Sequence, residues 1–244
     1  MLLGFALVLT RISAFLLVLP VFGSKILPIQ IKAALAVLLS LFFCATVPLG
    51  IDPARISTLG AMVLLASEAV YGLALGLIAA LLFCVVQLSG SVIEQQMGLT
   101  MAEIVDPLTD EEVGPLASLL EMLFLLLFLS ANGHHLFLLV LSKSYSAFPA
   151  GTIPTLGVLV GGVMETGSVM FVASLRLAAP LLAAFLLLIV ALALLARLIP
   201  EMDIFFIGMP VQAALGLFLA TVFMPFVGGF VTEMAEWMAK LLPI

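Results

Sequence analysis

Four charged residues stand inside long apolar runs of this chain: Arg11, Glu68, Glu121 and Arg176. A lone charge at the bilayer centre costs about 2.5–3.5 kcal/mol on insertion scales, so such residues pair, line a polar path or face a partner. Two cations and two carboxylates fit structural pairing, inside a bundle or across a subunit interface. They also admit a proton or ion relay. A relay needs several titratable groups along one path, and residue order alone does not align them, so pairing is the favoured expectation. His134 and His135 are adjacent. Neighbouring helical positions point about 100° apart, so the two imidazoles do not face one metal as an i, i+4 pair would. No HExxH motif and no nearby Cys or Asp cluster completes a site, which favours packing or hydrogen bonding. GxSxG, P-loop and GxGxxG patterns are all missing from the sequence. The chain therefore reads as non-enzymatic, without metal or cofactor.

A second concentration of charge lies between Ser89 and Pro115. Glu94, Glu103, Asp106, Asp110, Glu111 and Glu112 occur there without one Lys or Arg. Those six carboxylates equal the whole formal surplus of −6. In lipid, at about 2.5 kcal/mol each, they would cost on the order of 15 kcal/mol, as much as a domain's entire stability. The segment must lie in water, in a polar pore or against protein. Met97, Leu99, Met101, Ile104, Val105 and Leu108 are too apolar for a purely solvated loop. Gly98, Pro107, Gly114 and Pro115 supply hinges, and a mixed segment between hinges suits loose, movable packing. The residues leave solvated loop and pore element open about equally.

The elements that must position these groups are helices. At 65% hydrophobic and 9% charged residues, the composition lies outside the range of soluble domains. Continuous Leu, Ala and Val runs exclude a barrel's alternation, and helices satisfy their own backbone in lipid. The expected fold is an all-α, polytopic helical membrane protein with long kinked helices, one domain over 1–244, and the acidic loop at about 89–115. Apolar runs fall at Leu2–Phe22, Ile31–Leu49, Leu59–Leu88, Leu116–Leu141, Met170–Ala196 and Phe205–Phe230, with a weaker Gly-rich stretch at Ile153–Val169. The third run would make roughly 45 Å of helix against about 30 Å of hydrocarbon, so it tilts or projects into protein.

Basic residues do not orient the chain. With the N-terminus outside, Lys25, Lys32 and Arg197 fall inside, while Arg55, Lys143 and Lys240 fall outside, three against three. A chain without that bias is expected to take its position from partners. Pro20, Pro180 and Pro225 should kink or end helices. Gly72 with Gly76, and Gly157 with Gly161, form small-xxx-small faces for close packing within the chain or between subunits. Cys44 and Cys84 read as core filler. Leu2 opens the first run with no basic stretch ahead of it, so that helix is expected to stay. Eight Lys and Arg in all leave no basic patch for nucleic acid and no polybasic lipid anchor.

Four blocks in order resemble one known family. They are Arg11 with Pro20–Gly23 and Pro28–Lys32; Gly90 with Glu94–Gly98, Met101-Ala102 and Asp106-Pro107; Asn132–His134 with Ser144-Tyr145 and Pro149; and Arg197–Phe205 with Gly208–Pro210. Together they look like the FliR family, the R components of the flagellar type III export gate, related to the injectisome T component. The resemblance covers essentially the whole chain, short of the extra N-terminal residues that many relatives carry.

The resemblance implies an R-type fold, a P-type-like part followed by a Q-type-like part. It implies assembly with P-type and Q-type subunits (FliP and FliQ), near FlhB-type and FlhA-type export proteins, at the centre of the flagellar basal body in the bacterial inner membrane. Unfolded flagellar proteins would be the transported species. The central loop would plug the closed pore, placing Gly98, Met101, Glu103, Asp106, Pro107, Asp110, Glu111 and Glu112 in the plug. Gly72, Gly76, Arg197, Pro200, Gly208 and Pro210 are the expected helix-packing positions at subunit contacts. Two rival readings remain: a small-solute secondary transporter using Glu68, Glu121 and Arg176, and an intramembrane hydrolase or metal enzyme using His134 or His135.

Overall fold

A computed structural model describes residues 2–20, 28–47, 56–98, 114–152, 156–199, 206–222 and 229. Seven helices account for nearly all of them: α1 (Leu2–Val18), α2 (Ile29–Thr46), α3 (Thr58–Met97), α4 (Pro115–Ser130), α5 (Gly133–Ala147), α6 (Leu156–Leu198) and α7 (Phe206–Val222). No β-strand occurs among the described residues. Local chemistry sets most of the boundaries. α1 stops at Val18, ahead of Pro20, whose ring disfavours helical backbone in the residue before it. The Ser57 hydroxyl accepts the Gly60 N–H at 3.2 Å and so caps α3. That helix ends at Gly98, which takes a left-handed φ of 73°.

Three expectations about the apolar runs are corrected. The third run does not stop at Leu88: α3 is 40 residues long and reaches Met97, so Ser89–Met97, expected within the acidic loop, is helix. The Gly-rich stretch and the fifth run are one 43-residue helix, α6, which carries Pro180 inside it. At 1.5 Å per residue α3 and α6 measure about 60 and 65 Å, roughly twice the hydrocarbon thickness. The fourth run is broken at Ala131-Asn132, where α4 and α5 meet at a 74° bend. Asn132 takes the left-handed conformation, with φ 59°, which Asn tolerates better than most residues. α2, α3 and α6 are long and apolar enough to cross a membrane, and the bent α4–α5 pair makes a fourth candidate. Six apolar runs are long enough to span by sequence; within the described residues the helices of the first and last of them, α1 and α7, are shorter.

The described residues divide into two compact units that interleave along the chain: residues up to Leu82 with Phe128–Ser168, and Phe83–Leu127 with residues from Val169 onward. In the first, α1 packs on α2 and on the first part of α3. Leu7, Val8, Ile12 and Phe15 of α1 are buried together with Phe137, Leu141 and Tyr145 of α5. The Phe15 ring meets Phe137 edge-on at 6.2 Å, and Phe43 of α2 lies 5.6 Å from Tyr145. α2 buries only Ala36, Ser40 and Phe43, an i, i+4, i+7 stripe. Its Leu38, Leu41 and Phe42 stay exposed. In the second unit Ile93, Met97, Leu116, Ala178, Leu181 and Phe185 form the core, covered by Leu215, Leu219 and Ala220 of α7.

Candidate functional site

The first unit is organised around the Arg11 guanidinium, which is 1% exposed. Its Nε donates to Glu68 Oε2 at 2.5 Å, and one Nη donates to the Phe148 carbonyl at 3.0 Å. Longer contacts of 3.4 and 3.5 Å reach the Ser144 carbonyl and hydroxyl. The rings of Tyr71 and Tyr145 lie 4.5 and 4.3 Å from the guanidinium carbon, close enough for cation–π attraction in a desolvated place. The other Glu68 oxygen accepts the Gly151 N–H at 2.8 Å, and Gly151 has a φ of 90° that favours glycine. Arg11 and Glu68 thus grip opposite ends of the turn that follows α5. Among the described residues no buried side-chain nitrogen or oxygen lacks a partner. A buried pair is tolerable only when its remaining hydrogen-bonding capacity is met in this way.

Close packing of α1 on α3 makes the pair reachable. A Cβ at Gly72 would overlap the Arg11 carbonyl oxygen, and one at Gly76 would come within 2.9 Å of the Phe15 carbonyl oxygen. These two glycines therefore pack against α1 of their own chain, which explains their spacing without invoking another subunit.

The second unit holds a buried carboxylate at the mouth of the acidic segment. Glu94, in the last turns of α3, is 1% exposed. It accepts the backbone N–H groups of Leu116 and Ala117 at 3.2 and 3.4 Å. A helix that begins at Pro115 needs this help. Gly114 precedes it and has no side chain to cap with, and Pro115 has no N–H, so the amides of Leu116 and Ala117 are the ones an N-cap side chain would ordinarily satisfy. Glu94 supplies that cap from another helix. Gly114 lies so close that any Cβ there would overlap the Glu94 carboxylate. One turn further along α3, Met97 is 1% exposed and occupies the space above Gly216 of α7, where a Cβ would collide with the thioether.

The remaining expected residues divide as follows. Arg11 and Glu68 are brought together. Glu121 is half-buried and Arg176 exposed, and neither forms an ion pair with any described residue. Gly98 is half-buried, 3.7 Å from Gln212 Oε1 by the Cβ it lacks. Met101, Glu103, Asp106, Pro107, Asp110, Glu111, Glu112 and Pro200 lie outside the described residues, as do Lys25, Arg55, Pro225 and Lys240. Arg197 is exposed at the end of α6. Gly208 is buried near Leu192, and Pro210 is exposed in the first turns of α7. The His134 and His135 rings contact each other at 4.3 Å, and among the described residues no three His, Cys, Asp or Glu could hold a metal ion.

Reading the sequence missed Glu94 as a cap and Tyr71, Tyr145 and Gly151 as part of the Arg11 cluster. One signal was available for the first. A Gly-Pro pair opening a helix has neither a capping side chain nor a proline N–H, so the cap must come from elsewhere.

The model for the family described as "Bacterial export proteins, family 1" matches residues 2–238. The chain is 31% identical over 234 residues to the flagellar biosynthetic protein FliR of Escherichia coli (strain K12), covering 96% of this chain and 89% of the relative. It is 31% identical over 225 residues to the FliR of Bacillus subtilis (strain 168), covering 91% and 86%. With the Yop proteins translocation protein T of Yersinia pestis it shares 27% over 231 residues, covering 91% and 86%.

Proposed function

The chain belongs to the bacterial export proteins, family 1, and from that premise we propose that it is a channel-forming, non-enzymatic subunit of a flagellar type III export gate. At the coarser level it is a component of a flagellar or type III export apparatus in a membrane, associated with other parts of that apparatus. The finer reading adds P-type and Q-type subunits (FliP and FliQ) as direct neighbours, FlhB-type and FlhA-type proteins nearby, and unfolded flagellar proteins as the cargo. It also places the complex in the bacterial inner membrane at the centre of the flagellar basal body. The segment from Gly98 to Pro115 obstructs the pore when the gate is closed and moves aside for substrate.

The family match along nearly the whole chain carries this reading. Helices α3 and α6, each about twice as long as a bilayer core is thick, support a body that stands partly in protein rather than one threaded conventionally through lipid. The energetics of the acidic segment support an aqueous place for it. Flagellar relatives at 31% identity favour the flagellar assignment over the injectisome one. The transporter reading loses one of its residues, because Glu68 already uses both oxygens on Arg11 and Gly151.

Deleting Met101–Glu112 tests the plug. The assembled complex should form at normal yield and pass small ions that the intact gate retains. Normal assembly with unchanged leak overturns the plug. Co-production with P-type and Q-type subunits tests the assembly, and a stable chain that stays alone beside them overturns it.

A further inference from the structure

Arg176 stands near the middle of the 43-residue α6, with about 30 Å of helix on either side. It is exposed and forms no ion pair with any described residue. A second polar group lies at the same place. Pro180, inside the helix four residues on, has no N–H, so the Arg176 carbonyl loses the donor that the helical ladder would give it. A cation and an unserved backbone acceptor therefore share one turn, and Arg176 and Pro180 are both exposed.

The surroundings are apolar. Val172, Arg176, Ala179, Pro180, Ala183 and Leu187 recur at three- and four-residue steps, so they form one stripe along α6, and all six are exposed. Ala178, Leu181 and Phe185 belong to the core of the second unit instead. Acyl chains do not suit the stripe, because hydrocarbon satisfies neither the guanidinium nor the freed carbonyl. A lipid headgroup at Arg176 would serve both, but it would put large apolar residues in water on one side. Those are Phe171 and Val172, each 56% exposed, or Leu186 and Leu187, at 64% and 70%. A water-filled channel has the same fault. Protein bearing matched polar groups covers the whole stripe, and the small Ala179 and Ala183 let a helix backbone come close to it.

We infer that this stripe seats a helix of a neighbouring subunit. The occupant carries a carboxylate that accepts from the Arg176 guanidinium and, about one turn away, a hydroxyl or amide that donates to the Arg176 carbonyl. Apolar residues on either side of those groups meet Val172 and Leu187. The inference rests on reading the chain as a gate subunit, and it names the chemistry by which α6 recognises its neighbour.

The test uses the full chain co-produced with P-type and Q-type subunits. A benzophenone amino acid in place of Leu187 should photo-cross-link to one of those subunits in the assembled complex. Cross-links to lipid alone would assign the stripe to a headgroup boundary, and none at all would assign it to an aqueous channel; either overturns the inference. Arg176→Met should speed dissociation of the complex in detergent at least about tenfold, as removing one member of a buried charge pair does. Arg176→Lys should fall between, since it keeps the charge and loses the planar fork. Pro180→Ala restores the ladder bond and engages the carbonyl within α6, so it should also speed dissociation, by a smaller factor.

The amount of Arg176→Met chain in the membrane should match that of the native chain, because Arg176 has no ion-pair partner among the described residues. A clear drop would show that Arg176 works within its own fold and would overturn the inference. Unchanged dissociation in Arg176→Met, from a native complex that forms normally, overturns the inference and leaves the gate reading standing. A native chain that fails to join the P-type and Q-type subunits overturns the gate reading, and this inference with it.

Discussion

Arg11 and Glu68 stand 57 positions apart, yet the Arg11 Nε meets Glu68 Oε2 at 2.5 Å with both side chains buried. The contact joins α1 to α3, and its remaining atoms reach Phe148 and Gly151 on the turn after α5. Three segments distant in sequence are therefore held by one ion pair and the rings of Tyr71 and Tyr145. Both Glu68 oxygens accept a hydrogen bond, one from Arg11 and the other from Gly151, which makes the pair a connector of helices.

Breaking that connector from one side should be severe. Arg11→Met or Glu68→Met leaves an uncompensated buried charge, at a cost of about 3–5 kcal/mol. The double replacement should cost clearly less than the sum, because it removes both charges together. Thermal unfolding of the purified complex checks this. Singles as mild as surface substitutions, or strictly additive losses, would refute a coupled buried pair.

The two small-residue faces should respond in opposite ways. Gly72→Ala and Gly76→Ala force a methyl against the backbone of α1, and overpacking of this kind costs about 1–3 kcal/mol. Gly157 and Gly161 have nothing within 4 Å of a built Cβ. Alanine there should stabilise the isolated chain by up to about 1 kcal/mol through helix propensity. Melting temperatures of the chain before and after addition of its partners separate the cases. A Gly161→Ala that leaves the chain stable but lowers complex yield would mark that face as a subunit contact.

The charges inside apolar runs were legible because lipid penalises them whatever the fold, and so was the need for Arg11 and Glu68 to find partners. Which partner each takes was not, since pairing depends on α1 lying against Gly72 and Gly76, a tertiary fact. Glu94 was misplaced for a related reason. It belongs to a run of six carboxylates and read as part of a loop lying in water, in a polar pore or against protein, whereas it is buried at the end of α3 and caps α4. The Gly-rich stretch before Met170 read as weak helix on propensity alone. In α6 it continues without a break into the apolar run beyond, an instance of context overriding intrinsic preference.

The bend between α4 and α5 depends on Asn132, with its left-handed φ of 59°, and on Gly133, where a Cβ would run into the Phe128 ring. Asn132→Gly should be accepted with little change, because glycine takes that conformation freely. Asn132→Val should cost about 1–2 kcal/mol, since a β-branched residue resists positive φ. Comparing the melting temperatures of the two variants checks the bend. Equal tolerance of both would show that the chain does not need the left-handed residue.

The socket at the end of α3 gives a sharp test of packing in the second unit. Met97 is buried beside Phe185 and Leu181 in the core of the second unit, and Gly216 on α7 is the small residue that admits its thioether. Gly216→Ala should destabilise by about 1–3 kcal/mol through overpacking, and Met97→Ala by about 2–5 kcal/mol through the cavity it leaves. The double variant should cost less than the sum, since the shortened side chain no longer meets the added methyl. A flexible thioether can shift to avoid one methyl, which would bring the Gly216→Ala cost towards the lower end. The sign of the coupling would remain the same. Denaturant or thermal unfolding of the three variants in the assembled complex measures it, and zero coupling would mean that Met97 does not occupy the space above Gly216.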